Sequence, residues 1–178
     1  MIALSKSRFK QGLECPNKLY FSNNKRVFHN VKNEDPFLQA LASGGFQVEE
    51  YARLQYPGGV LIEDPEDREN YDYQDLADQT SELLKQENVV IYEAAFYVDD
   101  LFIRTDVLVK KGTHIQLIEV KAKSLDPSEP HNFVGKSKKL VSSWKPYLFD
   151  LAFQTYVTQR CLPSYTITPY LCLVDKTK

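Results

Sequence analysis

Residues 101–124 read LFIRTDVLVKKGTHIQLIEVKAKS, and this stretch decides the fold that we expect for the chain. Residues 101–110 and 114–122 are rich in β-branched and other apolar residues, which is typical of strands, and residues 111–113 between them are a turn sequence. A third run of this kind, 89–98, ends at Asp99-Asp100, where a second tight turn leads into residue 101. The segment therefore predicts three strands that follow one another as an antiparallel meander.

Three charged residues, Asp106, Glu119 and Lys121, lie among the apolar residues of these strands. Residues i and i+2 of a strand point to the same face, so Glu119 and Lys121 share a face, and the hairpin can bring Asp106 beside them. Two facing carboxylates repel unless a cation lies between them, and Mg²⁺ prefers oxygen ligands. We therefore expect a metal site at Asp106, Glu119 and the carbonyl of Val120, with Lys121 stabilising phosphate oxygens. The alternative is a salt bridge between Lys121 and one of the two acids.

The remaining elements are predicted from helix caps, apolar spacing and breakers. They are helices over residues 5–13, 15–21, 35–54, 72–85 and 147–160 and a strand over residues 166–174. Gly44-Gly45 is expected to interrupt or loosen the third of these helices, and residues 123–146, which contain three prolines, are expected to form a long loop or a short interrupted helix. Helices and strands in this order predict an α/β fold.

Composition and charge limit the class of protein. The chain has 178 residues, of which 43% are hydrophobic and 26% are charged, which predicts a folded domain rather than disorder. No apolar run is long enough to span a bilayer or to act as a secretory signal, so we expect a cytoplasmic protein. Basic residues concentrate in 1–32 (net charge +6) and 108–147 (+5), on either side of an acidic segment, 33–79 (−10). Such blocks are compatible with a polyanionic partner and equally with solvated surfaces that balance one another.

Six motifs together resemble the PD-(D/E)XK nuclease superfamily, and within it the RecB-like branch. LSKSRFKQGLECPNKLYF (4–21) resembles the N-terminal signature of RecB-like domains and of the exonucleases that serve CRISPR spacer acquisition. GGFQVEEYAR (44–53) resembles the first helical motif, and PYLFDLAFQTYV (146–157) the helix whose motif begins with Gln. IYEAAF (91–96), IRTDVLV (103–109) and LIEVKAKS (117–124) resemble the core strands. The chain is also similar to an uncharacterised bacterial family of RecB-like proteins.

The resemblance implies a fold and an activity. The fold is a restriction-endonuclease-like αβββαβ core with a mixed central sheet flanked by helices, over residues 34–178, preceded by a basic helical segment over residues 1–33. The whole is a single domain that could be a fragment of a longer protein. The activity is Mg²⁺- or Mn²⁺-dependent hydrolysis of DNA phosphodiester bonds, by an exonuclease or an end-processing enzyme. The alternative is a catalytically weak nucleic-acid-binding or interaction module of the same fold.

Site residues also follow from the resemblance. The implied metal ligands are Asp106, Glu119, Val120 and Glu50. Glu49 is a less favoured choice than Glu50, whose alternative is an exposed acid near Arg53. The implied catalytic residues are Asp106, Glu119, Lys121 and Gln154. Gln154 would position substrate or water, and its alternative is a polar residue at a helix–strand contact.

Contacts to DNA, as single strands or ends, are expected from the basic blocks, and a further domain or partner protein is also expected. The implied nucleic-acid-binding residues are Lys6, Arg8, Lys10, Lys136, Lys138, Lys139 and Trp144. Trp144 could stack on an unpaired base or could be a buried anchor. Some RecB-like nucleases carry an iron–sulfur cluster, and Cys15-Pro16 matches its first ligand position. The chain has only three cysteines, Cys15, Cys161 and Cys172, so no cluster is expected from this chain alone.

Overall fold

The computed structural model describes residues 3–24, 27–28, 35–64, 72–175 and 177. In these ranges the helices are α1 (Lys6–Glu14), α2 (Pro16–Asn23), α3 (Pro36–Arg53), α4 (Tyr73–Leu83) and α5 (Lys145–Cys161). The strands are β1 (Leu4–Ser5), β2 (Val60–Leu61), β3 (Asn88–Val98), β4 (Leu101–Lys111), β5 (His114–Leu125) and β6 (Thr166–Asp175). The boundary predicted between residues 33 and 34 lies outside the described residues.

The strands of the described residues form one mixed sheet in the order β2-β3-β4-β5-β6. Tight turns join β3, β4 and β5, which pair antiparallel and confirm the predicted meander. At the two ends of this order, β2 pairs parallel with β3, and β6 pairs parallel with β5. The α/β class with a mixed sheet flanked by helices is therefore confirmed.

The sheet divides between β4 and β5. These strands pair only from Val107 and Ile118 toward their common turn, and beyond that point β5 stays paired with β6 and not with β4. The far end of β4 instead pairs in parallel with β1, through Leu101 and Phe102. We call the place where β4 and β5 separate, at Asp106 and Glu119, the fork.

Apolar residues cover both faces of the sheet because strand side chains alternate between faces. On one face, α4 packs on β3, and α5 packs across β3, β4 and β6, with Ile91, Leu108 and Val157 fully buried between the layers. On the other face, Val107 and Ile118 form a smaller cluster with Tyr92 of β3 and with Tyr56, which follows α3. The fork lies between these two packed regions, which position its charged residues.

Three details differ from the sequence-based expectation. Helix α3 runs without a break through Gly44-Gly45, since a glycine costs a helix only about 1 kcal/mol and need not end it. Strand β5 continues to Leu125, so the irregular segment is shorter than predicted. Strands β1 and β2 have two residues each and were not predicted. Within the described ranges, none of the helices has both the length and the apolar character that a membrane span requires.

Candidate functional site

Asp106 ties the two strands together at the fork. The residue is 8% exposed, and its Oδ2 accepts a hydrogen bond of 2.6 Å from the backbone N–H of Val120. A side-chain oxygen thus replaces the strand carbonyl that would pair with β5 if the ladder continued. Val120 therefore lies at the site as expected, although the contact described is made through its N–H group.

Glu119 is fully buried at the fork, and both of its oxygens have partners. Its Oε1 pairs with Lys121 Nζ, and its Oε2 accepts a hydrogen bond of 2.7 Å from Gln154 Nε2. Glu119 and Lys121 lie on one face of β5, as the i, i+2 spacing predicts. The contact between them matches the salt bridge that the sequence left open as an alternative.

Helix α5 contributes two polar residues to this buried group. Gln154 and Asp150 are one helical turn apart and both fully buried, and Gln154 Nε2 also donates to Asp150 Oδ1 at 3.4 Å. Asp150 pairs with Lys10 at 3.5 Å and with Lys121 at 3.7 Å. Among the described residues, Gln154 Oε1 has no hydrogen-bond partner. Asp150 was not among the site residues predicted from the sequence. Its spacing of four residues from Gln154 is the feature of the sequence that could have indicated it.

The N-terminal segment adds a cation that the sequence predicted for a different role. Lys6 Nζ lies 3.1 Å from Glu119 Oε2 and 3.5 Å from Asp106 Oδ1. Lys6 was expected to contact nucleic acid. Strand β1 pairs with the end of β4, and α1 begins directly after β1. The first residue of α1, Lys6, therefore lies at the fork with its ammonium group among the carboxylates.

Asp106 also lies close to two other carboxylates, those of Glu49 and Glu93. One oxygen each of Glu49, Glu93 and Asp106 lie within 4.8 Å of one another. Arg53 pairs with Glu49 at 2.5 Å and with Glu93 at 3.1 Å. Glu93 has a φ of +56° in the middle of β3. A non-glycine residue rarely adopts this conformation, which costs about 1–3 kcal/mol and often accompanies a functional site.

The structure brings Glu49, rather than Glu50, together with Asp106. Glu50 is exposed and lines a surface groove with Tyr51 and Leu54, so the alternative of an exposed acid describes its position. The side chains of neighbouring helix residues point about 100° apart. The packing of α3 directs Glu49 toward Glu93 of β3 and leaves Glu50 exposed. Glu93, which the sequence left unassigned, completes the cluster from β3.

Burial and charge act differently on the acids of the site. Burial raises the pKa of Asp106 to about 6 against the opposing charge of Lys6. Burial and a hydrogen bond with Glu49 raise the pKa of Glu93 to about 8. Burial also opposes the ionisation of Glu119, but the ammonium groups of Lys6 and Lys121 lower its pKa to about 2. Arg53 and Arg104 both pair with Glu93, but burial outweighs their charge and keeps the pKa of Glu93 raised.

The remaining basic residues of the predicted nucleic-acid surface divide into two groups. Arg8 donates hydrogen bonds to the carbonyl of Ala3 at 2.9 Å and to Asn23 Oδ1 at 2.8 Å, and Lys10 pairs with Asp150. These two side chains are bound within the protein. The others are exposed and lie in the segment between β5 and α5: Lys136, Lys138 and Lys139.

Trp144 is buried, with 5% of its surface exposed. Its ring packs against Phe133 at 4.8 Å between centroids, and Lys123 Nζ lies 4.6 Å from the ring centroid. The expectation that this ring stacks on an unpaired base is corrected here, because the ring has no free face to offer. Trp144 anchors the segment before α5, which is the alternative that the sequence allowed.

The donors at the fork fit a hard divalent cation. Carboxylate oxygens are the ligands that Mg²⁺ and Mn²⁺ prefer. Glu49, Glu93 and Asp106 supply three of them within 4.8 Å of one another. Gln154, which contacts Glu119 through Nε2, has a further buried acceptor in its Oε1, for which the described residues supply no partner. Glu119 could join only if a cation that now binds it moved away.

Three comparisons with known proteins add no further assignment. No family model, no curated protein and no solved structure matches the chain.

Proposed function

We propose that this chain is a metal-dependent nuclease with a restriction-endonuclease-like αβββαβ core, which hydrolyses DNA phosphodiester bonds with Mg²⁺ or Mn²⁺. One observation carries the proposal. Asp106 lies at the point where β4 and β5 separate and is shared by two groups of acids, one with Glu119 and one with Glu49 and Glu93. A buried carboxylate cluster beside a lysine, at a break in a sheet, supports hydrolysis assisted by a metal ion.

Each residue would have a distinct task. Glu49, Glu93 and Asp106 would hold the divalent ion. A bound ion of this kind lowers the pKa of a water molecule and neutralises charge on a phosphate. Lys121 would stabilise the phosphate oxygens, since its ammonium group lies at the same fork. Gln154 would accept a hydrogen bond from water through its free Oε1 while its Nε2 holds Glu119.

We also propose that the substrate is DNA and that the enzyme acts at DNA ends. Exposed lysines on the segment before α5, at 136, 138 and 139, are suited to phosphate contacts. The motifs that resemble RecB-like exonucleases favour linear DNA or single-stranded ends. An exonuclease would degrade a linear duplex and leave a closed circular duplex intact.

A specific observation favours one rival. Lys6 and Lys121 already compensate Glu119, so the fork could be a structural ion-pair network in a module that binds nucleic acid without cleaving it. Such a module would bind DNA with an affinity that falls with salt, by about 0.9 log units per neutralised phosphate for each log unit of salt. Binding without cleavage in Mg²⁺ would be its signature.

Cleavage assays with matched variants test the proposal. The substrates are 5′-labelled linear DNA, closed circular DNA and RNA of the same sequence, incubated with Mg²⁺, with Mn²⁺ or with EDTA. The variants are Asp106→Asn, which removes the shared charge without changing the side-chain shape, and Glu82→Gln, the same type of change at an exposed position. Circular dichroism confirms that each variant is folded.

We expect linear DNA to be cleaved only with a divalent ion, and Asp106→Asn to reduce the rate by about 100-fold or more. Glu82→Gln should cleave as the unaltered chain does. Binding of DNA without cleavage in either metal would favour the rival module. Undiminished cleavage by a folded Asp106→Asn variant would refute the role of the fork.

A further inference from the structure

An ammonium group fills the space between the two carboxylates of the fork. Lys6 is the first residue of α1 and directly follows Ser5, the N-cap residue at the end of β1. Its Nζ lies 3.2 and 3.1 Å from the two oxygens of Glu119 and 3.5 Å from Asp106 Oδ1. The backbone carbonyl of Arg104 lies 3.3 Å from the same nitrogen.

This environment is one that a divalent ion would also select. Two carboxylates and a backbone carbonyl are typical ligands of Mg²⁺ and Mn²⁺, which bind oxygen at about 2.0–2.2 Å. An ammonium group and a metal ion cannot share these oxygens, because two cations so close in a buried site repel each other strongly. A divalent ion that binds both Asp106 and Glu119 must therefore take the place of an ammonium group.

The contacts of Lys121, Gln154 and Lys6 indicate which of these side chains an incoming ion would replace. Lys121 lies two residues from Glu119 on a strand that pairs with β6 through Lys121 and, after a shift in register, again from Ser124, and Gln154 lies on helix α5. Lys6 belongs to a segment in which β1 pairs with β4 and Phe9 of α1 stacks on Phe153 of α5 at 4.3 Å between ring centroids. Lys6 contacts both Asp106 and Glu119, whereas Lys121 contacts Glu119 and Asp150. An ion that binds Asp106 and Glu119 together therefore takes the place of Lys6.

We propose that Lys6 is a tethered competitor of the divalent ion, which holds Asp106 and Glu119 together until the ion replaces it and so sets the metal affinity of the fork. This inference rests on the proposed function, because it requires the fork to bind a metal, and it adds Glu119 to the ligands Glu49, Glu93 and Asp106. It also couples the site to the N-terminal segment, since the exchange releases the side chain that links α1 to β4 and β5.

Isothermal titration of the full, metal-stripped chain with MnCl₂ at pH 7 and 0.15 M NaCl tests the exchange. Lys6→Met removes the charge and keeps a flexible side chain of similar length. Lys10→Met is the matched control, because it removes a charge from the same helix that pairs with Asp150 and not with Asp106 or Glu119. We expect Lys6→Met to lower the Kd for Mn²⁺ at least about tenfold. Lys10→Met should change it by less than about threefold.

Each outcome decides a different point. Equal affinity of the unaltered chain and of Lys6→Met would overturn the inference and leave the proposed metal site standing. Mn²⁺ binding by Lys6→Met alone would support the inference. An absence of Mn²⁺ binding in all three proteins would overturn both the inference and the metal-dependent function.

A second measurement uses the unaltered chain and does not depend on the folding of a variant. Amide hydrogen exchange of residues 4–10 is followed by mass spectrometry with and without saturating Mg²⁺. Replacement of Lys6 by the ion should speed exchange in this segment several-fold, because the segment loses the contacts of the Lys6 side chain with Asp106 and Glu119. Unchanged or slower exchange at saturating Mg²⁺ would overturn the inference.

Discussion

Replacement of Glu93 by glutamine should stabilise the protein at alkaline pH and leave its stability at pH 5 almost unchanged. Glu93 lies beside Glu49 and Asp106, and burial, a hydrogen bond with Glu49 and nearby negative charge raise its pKa from 4.5 to about 8. The folded protein therefore favours the neutral carboxyl group. Glutamine has nearly the same shape and is neutral at every pH.

The sign and the size follow from the pKa values of the two states. The pKa of Glu93 is higher in the folded state, so folding takes up a proton between pH 4.5 and about 8. The stabilisation is complete below pH 4.5 and is lost as the pH rises through 8. The difference between the pKa of Glu93 in the folded and in the unfolded state corresponds to at most about 5 kcal/mol, at about 1.36 kcal/mol per pKa unit. One fifth of the side chain is exposed, so we expect a gain on the order of 2–4 kcal/mol in the free energy of unfolding at pH 9.

Urea unfolding at pH 5, 7 and 9 in EDTA measures this difference through the fluorescence of Trp144, the one tryptophan of the chain. The control is Glu82→Gln, at a side chain that is 69% exposed and pairs with Lys85. The free-energy difference between the unaltered chain and the control should not grow with pH. If the unaltered chain and Glu93→Gln lost stability in parallel between pH 5 and pH 9, the raised pKa of Glu93 would be refuted.

Two further substitutions test the packing around the site by urea unfolding monitored by circular dichroism, because Trp144→Ala removes the one tryptophan. Gly59→Ala should destabilise the protein by about 1–3 kcal/mol, because its Cβ would lie 2.3 Å from the ring of Tyr92; the control Gly44→Ala, which meets no atom within 4 Å, should stabilise it by about 0.5–1 kcal/mol. Equal effects of the two glycine changes would contradict the described approach of Tyr92. Trp144→Ala should cost about 3–5 kcal/mol, because the ring is 5% exposed, and a loss below about 1 kcal/mol would show that the ring is not an anchor.

Local patterns in the sequence were sufficient to predict the long elements. The meander of β3, β4 and β5 depends on alternation and on two tight turns, which are properties of neighbouring residues. The same reasoning could not find β1, because a two-residue strand forms only when its partner, the end of β4, is left free by β5. The glycine pair at 44–45 was expected to interrupt or loosen α3, which continues because a helix of 18 residues can tolerate it.

The site was predicted where strand spacing decides the positions, and missed where distant segments meet. The i, i+2 rule placed Glu119 and Lys121 together, and the turn between β4 and β5 brought Asp106 beside them. Lys6 contacts Glu119 across 113 residues of sequence, and no pattern near residue 6 indicates that contact. The choice of Glu49 over Glu50 likewise depends on how α3 is rotated against the sheet.

The amino-acid sequence alone determined which segments become strands and helices and which acids share a face. These properties depend on the repeat of a strand or helix over a few residues. Only the tertiary structure decided that β4 and β5 separate at Asp106 and that Lys6 enters the gap. It also decided that Glu93 and Glu49 meet there. Charges interact through space rather than along the chain, so the partners of a buried carboxylate are known only after the chain has folded around it.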